Sequence, residues 1–228
     1  MLVQVQYVST PERSASLWRY MDFTKLLSLL EYESLYFARA DSFEDPYEGE
    51  WPAATARLFQ GVGNTNALKI PDDLRRTHYI SCWCASEHES AALWKLYLQS
   101  PEGVAVRTDV GALSDALEAI PQKITIAKVD YIDYESGGQI PWTRSLLPLF
   151  TRKRRSFEHE QEVRAIYYSP GGDAPGIAVP VSIRKIVKKV YVSPTAPRWF
   201  ADLVDRAVRR YGLDTPIESS KLYQRAVH

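Results

Sequence analysis

The chain is short of nearly everything that would place it in a special class. It has two cysteines, Cys82 and Cys84, so no disulfide framework is available. Neither sign of charge is in excess: 28 Lys plus Arg balance 28 Asp plus Glu, and a net charge of zero draws the protein as a whole neither to nucleic acid nor to a membrane surface. No apolar run approaches the ~20 residues that span a bilayer. Met1 to Tyr20 mixes polar and apolar residues and lacks the continuous apolar core of a signal peptide. There is no internal repeat and no low-complexity tract. Gly61, Gly63, Gly137-Gly138 and Gly171-Gly172 form no phosphate-binding loop. These absences lead us to expect a cytoplasmic protein of bacterial type with no membrane partner.

What is present suffices for a sizeable core: 228 residues, 45% hydrophobic and 12% aromatic. Asp22 or Thr24 can cap a helix over Lys25–Glu31, and Leu35–Ala38 reads as a strand. Phe59–Arg76, polar and interrupted by Gly61, Gly63 and Pro71, reads as a mobile loop. His78–Ala85 is a strand. Ser86 and Glu89 have capping-box spacing before a helix with Leu93, Trp94, Leu96 and Tyr97. Gly103–Arg107 is a strand, Asp109 caps a helix, and Ile124–Tyr134 is one strand or two. Strands at Glu160–Tyr168, Gly176–Ile183 and Lys185–Val192 precede a helix with an apolar stripe from Trp199 to Tyr211, stopped by Gly212. A short strand falls within Thr215–Tyr223. Strands and helices do not alternate regularly, so we expect an α+β fold: one domain over residues 1–228, with a mixed, bent sheet and flanking helices.

Acids and basic residues recur beside aromatics in four segments: Leu17-Trp18-Arg19-Tyr20, Phe43 to Glu48, Glu89 to Tyr97, and Lys153 followed by Phe157, Glu160, Glu162 and Arg164. Such residues cost folding free energy unless each finds a partner or a task, so the pattern reads as a site assembled from distant parts of the chain. On a strand, Glu160, Glu162 and Arg164 share one face. They then form a paired-carboxylate site in which Arg164 holds one acid, or else a surface strand whose ions pair through solvent. Asp45 before Pro46 favours a turn. With Glu44, Glu160 and Glu162 it gathers four carboxylates, as a divalent-cation nuclease requires, and Lys153 would then act on a phosphate. The alternative is a structural turn anchored by Phe43 and Tyr47. His78, Cys82, Cys84 and His88 do not make a zinc site. Along a strand, His78 and Cys84 lie roughly 20 Å apart, against ligand distances of ~2.1–2.3 Å. No structural zinc is expected, and both cysteines read as small core residues. Arg152-Lys153-Arg154-Arg155 is the only basic run; it can meet phosphates of nucleic acid or of a dinucleotide, but on a helix it would point in all directions and most of it would be solvated.

In this order the segments resemble the bacterial family catalogued as domain of unknown function 2971. The matching pieces are Leu17–Tyr20, Leu35-Tyr36-Phe37, Phe43, Asp45–Glu48, Ser81-Cys82, Leu93-Trp94, Tyr97, Gly103–Val106, Lys153, Phe157, Glu160, Glu162, Arg164, Val190–Pro194 and Ser219-Ser220. They cover about residues 15 to 223, and acidic Glu44 departs from the polar amide expected there. More distantly, a Glu-x-Glu on a strand after an early strand-borne arginine resembles the layout of ADP-ribosyltransferases. That resemblance implies NAD as cofactor and Arg19 on its phosphates. It also implies Glu162 as the catalytic group that stabilises an oxocarbenium-like transition state, with Glu160 orienting the acceptor. The Ser-Thr-Ser element of that superfamily is missing; only Ser42 is nearby. The expected site thus comprises Glu162, Glu160 and Arg164 as catalytic residues, with Arg19, Tyr20, Asp45, Glu48 and Lys153 on the ligand and no metal. The expected function is that of an ADP-ribosyltransferase-like or NAD-cleaving enzyme, as a toxin or defence effector. The alternatives are a divalent-metal-dependent nuclease and a non-catalytic binding module. The expected partner is a small molecule or nucleotide, with nucleic acid less favoured.

Overall fold

The computed structural model describes residues 8–136, 145–171 and 173–224. Gly137-Gly138, Pro141, Trp142 and Gly172 lie outside these. In chain order the elements are β1 (Ser16–Asp22), α1 (Phe23–Glu31), β2 (Ser34–Arg39), α2 (Ala53–Gly61), α3 (Thr65–Arg75), β3 (His78–Ala85), α4 (Ala91–Tyr97), β4 (Gly103–Asp109), α5 (Val110–Leu117), β5 (Ile124–Lys128), β6 (Asp130–Ile132), β7 (Arg152–Arg154), β8 (Glu162–Tyr168), β9 (Gly176–Pro180), α6 (Ile183–Ile186), β10 (Lys189–Val192), α7 (Arg198–Arg210) and β11 (Ile217–Ser219). The fold is α+β, and its strand pairing is mixed but largely antiparallel.

The chain divides into two compact units, each of three stretches. The first takes Met1–Pro11, Tyr36–Cys82 and Ile120–Ala178. Within it β2 pairs with β9 and, antiparallel, with β3; β8 pairs with β3 and, antiparallel, with β5. β6 and β7 form a separate parallel pair in which Tyr131 faces Lys153 in register. Ala40, Trp51, Phe59, Ala67, Ile80, Leu149, Phe150 and Ile166 form an apolar cluster.

The span Phe59–Arg76 corrects the expectation of a loop: it completes α2 and forms α3. Gly61 ends the first helix, and the Asn64 side chain accepts the Ala67 amide to cap the second. Pro71 sits inside α3, where it cannot donate to the carbonyl of Ala67 four residues earlier. The buried indole of Trp51 donates to that carbonyl at 2.9 Å, so the core supplies the bond the proline lacks.

The second unit takes Glu12–Leu35, Trp83–Ala119 and Val179–His228. Its strands run β11-β10-β4-β1-β3, parallel only between β10 and β11. Trp18, Tyr20, Cys84, Leu93, Trp94 and Ala105 form its aromatic cluster. α7 buries Phe200, Val204 and Val208, one residue per turn, and Gly212 follows at φ +72°, which L side chains rarely adopt. Ser90, and not Ser86, caps α4 by accepting the Leu93 amide; Glu89 instead accepts the Trp94 indole. Asp109 caps α5 as expected.

Candidate functional site

Five charged side chains of the first unit meet inside it: Glu48, Lys153, Glu160, Glu162 and Arg164, none more than 8% exposed. Each reaches the centre for a local reason. Asp45 opens a turn in which its carboxylate accepts the Tyr47 amide and its carbonyl accepts the Glu48 amide, and this places Glu48. Gly49 follows at φ +72°, and a Cβ there would meet the Arg75 side chain at 2.9 Å. The basic run is a strand, β7, and not a helix. Strand alternation buries Lys153 while Arg152 and Arg154 stay part exposed.

Glu160 corrects the expectation that it shares a strand with Glu162. It ends a 3-10 turn over Arg155–Glu160, and Gln161 at φ 43° and ψ 50° breaks the chain before β8 begins at Glu162. A left-handed non-glycine residue is uncommon and carries strain, and here it separates two acids that converge on one lysine. Glu162 and Arg164, two apart on β8, do share a face. Tyr131 fixes the strand's start: its hydroxyl accepts the Glu162 amide at 2.7 Å.

Arg164 is fully buried, and its hydrogen bonds engage four of the five N–H donors of a guanidinium. Its Nε donates to Glu162 Oε2 at 2.5 Å, and Nη1 and Nη2 donate to the two oxygens of Glu48 at 2.8 and 2.6 Å. Nη1 also donates to the Phe150 carbonyl at 2.9 Å. Lys153 Nζ donates to Glu160 Oε2 at 2.5 Å and to Glu162 Oε1 at 2.6 Å, and lies 3.9 Å from Glu48 Oε1. The places among the three glutamates where a divalent ion would sit are thus filled by an ammonium and a guanidinium. Among the described residues no group of three or more His, Cys, Asp and Glu is disposed to hold a metal.

Three acids face two cations, so the cluster is neutral only if it also holds a proton. Burial, then the neighbouring Glu162, push the Glu160 carboxyl up to about 8. Burial would raise Glu162 too, but Arg164, the hydrogen bond from Glu160 and Lys153 outweigh it and hold Glu162 below the ordinary carboxylate range. The surroundings thus drive the two adjacent carboxyls apart, Glu160 towards holding a proton and Glu162 towards losing it. Burial works to lower the Lys153 ammonium, but Glu162 and Glu160 overcome it and the net shift is upward. Cys82 sits beside these charges and not only among apolar neighbours; burial and the Glu162 charge push its thiol up.

Of the residues expected in the site, Glu160, Glu162, Arg164, Glu48 and Lys153 meet directly. Asp45 stands at the turn and pairs with Arg154, 2.9 Å from its Nη2. Arg19 and Tyr20 belong to the second unit. The Arg19 guanidinium lies 5.5 Å from the Trp83 ring centroid. The Tyr20 ring packs edge-on to Trp94 while its hydroxyl accepts the Ser90 amide. Arg154 and Tyr131 are not among the residues expected in the site, whereas Phe157 belongs to the segment that pointed to it and lies against Lys153 and Arg154. The signal for Arg154 was present, since alternation along the basic run puts it two residues from Arg152 and off the face of Lys153.

No family model matches this chain, and no curated protein does. Among solved structures it is similar to DarT from Thermus sp. 2.9. The complex with NAD+ aligns at a TM-score of 0.45 and 11% identity, over 93% of this chain and 98% of that one. The complex with ADP-ribosylated ssDNA aligns at 0.45 and 11%, over 93% and 97%. The complex with carba-NAD+ aligns at 0.44 and 9%, over 92% and 97%.

Proposed function

We propose that the first unit is the catalytic body of an NAD-cleaving, ADP-ribosyltransferase-like enzyme whose working groups are Glu160 and Glu162. One observation carries the reading: two buried carboxyls, Glu160 and Glu162, converge on the Lys153 ammonium at 2.5 and 2.6 Å, and their surroundings drive their proton affinities apart, Glu160 upward and Glu162 downward. Environments that separate two titratable groups in this way assign them different roles. Breaking the bond between ribose C1′ and the nicotinamide nitrogen sends the electron pair out with neutral nicotinamide and leaves positive charge on the sugar. Ionised Glu162, kept so by Lys153 and Arg164, would stabilise that charge. A hydroxyl acceptor, or water, then bonds to C1′ and gives up its proton. Glu160, once it has lost its own proton, would take it. The rate should therefore rise with pH through the Glu160 titration. The reading requires the Lys153–Glu160 edge of the cluster to open to substrate. A cytoplasmic setting and a part in bacterial defence belong to the same proposal.

A second reading also has an observation behind it. All five charged groups are buried and paired, as they would be if the cluster only held the Asp45–Glu48 turn to β8 in a non-catalytic binding module. Nicotinamide release from NAD separates the two. The enzyme reading predicts turnover that Glu160→Gln removes with little change in melting temperature, and that EDTA leaves intact. The module reading predicts no turnover by any variant.

A further inference from the structure

We propose that Arg154 is the anion-binding residue of this site and takes a phosphate oxygen of the dinucleotide; this rests on the NAD reading above. The donors of Arg164 and Lys153 go to carboxylates and to the Phe150 carbonyl, inside the unit. Both are buried, and a phosphate drawn to either would compete with the acids they hold. Arg154 differs. Its side chain is 37% exposed, while its partner Asp45 is 5% exposed. Asp45 engages one edge of the guanidinium, Oδ1 at 2.9 Å from Nη2 and Oδ2 at 3.4 Å from Nε. Tyr47 and Phe157 hold the plane, with ring centroids 4.7 and 5.3 Å from the guanidinium carbon.

Among the described residues no acceptor engages Nη1, so the opposite edge of the fork can donate outward. A planar guanidinium held on one edge by a buried carboxylate and packed against two aromatic rings is preorganised for a phosphate on the remaining edge. Phe157 also ties this cation to the acid pair, since Lys153 Nζ lies 4.6 Å from the same ring. Asp45 is then a positioning residue. Its buried carboxylate keeps the guanidinium in place and need not release it when the anion arrives.

The probes are inorganic pyrophosphate, ADP-ribose and nicotinamide riboside, which has no phosphate, titrated by calorimetry into the full chain and its Arg154→Gln and Arg154→Lys variants. Wild type should bind pyrophosphate and ADP-ribose. Arg154→Gln should weaken both tenfold or more and leave nicotinamide riboside unchanged. Arg154→Lys, which keeps the charge and loses the fork, should fall between and serves if the glutamine variant does not fold. In turnover, Arg154→Gln should raise KM for NAD with kcat nearly unchanged. Pyrophosphate binding lost in Arg154→Gln would uphold the anion site even if NAD is never cleaved. NAD cleavage with an unaltered KM in both variants would overturn this inference and leave the reaction standing. Failure of the wild type to bind either anion, or equal weakening of all three probes, would also overturn it.

Discussion

In the second unit the polar groups brought inward are mostly neutral, and several are paired one to one: the Tyr20 hydroxyl accepts the Ser90 amide, the Trp94 indole donates to Glu89, and the Trp18 indole donates to the Ser86 carbonyl. In the first unit an apolar cluster of similar kind is accompanied by five charged side chains, all nearly out of water. A packed apolar interior would serve stability as well as or better than buried ion pairs, which often only break even against their desolvation. The contrast teaches where to look for chemistry. Among the described residues the second unit's interior carries no such charge cluster, although the Trp83 indole and the Thr108 hydroxyl are buried there without a hydrogen-bond partner, whereas the first unit's interior gathers three acids around two cations, which packing does not need.

The sharpest way to break this contrast is to remove its central cation. Arg164→Met leaves Glu48 and Glu162 buried without a guanidinium and should cost about 3–5 kcal/mol, enough to prevent folding in a marginal protein. Denaturant unfolding checks this; a loss under about 1 kcal/mol would mean that the pairs behave as surface ions. Glu162→Gln should come next, because Lys153 and Arg164 each lose an ionised partner, so this variant cannot serve as a silent active-site probe. Its melting temperature should fall by several degrees.

Glu160→Gln should be much milder, since an amide replaces a carboxyl that is already neutral. Its main effect is on the pH dependence. The folded state holds the Glu160 proton up to about 8, and the unfolded chain releases it near 4.5. The stability this group contributes is therefore present below pH 4.5 and is lost as pH rises towards about 8. Glu162 acts oppositely, contributing above the ordinary carboxylate range and losing its contribution as pH falls. Wild type should thus lose melting temperature between mildly acidic and mildly alkaline pH, and Glu160→Gln should flatten that slope. Equal slopes would place the proton elsewhere. The smallest effect belongs to the second unit: Tyr20→Phe leaves one amide without its acceptor and should cost about 1 kcal/mol with no change in pH slope.

Much of the site was legible because acids and arginines next to aromatics stand out against an ordinary composition. Glu162 with Arg164 followed from strand alternation, and the Asp45–Glu48 turn followed from Asp before Pro. What was not legible depended on tertiary partners. Gln161 adopts a left-handed conformation that no local rule assigns to glutamine, so Glu160 left the strand. Four consecutive basic residues have no periodicity, and only pairing with β6 makes the run a strand that buries Lys153. Pro71 reads as a helix breaker until the Trp51 indole supplies the missing bond. The capping box at Ser86 had correct spacing, but Ser90 stood closer to the apolar run and took the cap. In the fold, the helices over Lys25–Glu31 and Trp199–Tyr211 were legible because their apolar stripes need no distant partner.

A proton held between Glu160 and Glu162 can be seen by carboxyl-detected NMR of 13C-labelled glutamate side chains. One glutamate carboxyl should titrate far above the rest, near pH 8, and be absent from the spectrum of Glu160→Gln. Every glutamate titrating in the ordinary carboxylate range, or a high-titrating signal that survives in Glu160→Gln, would contradict this.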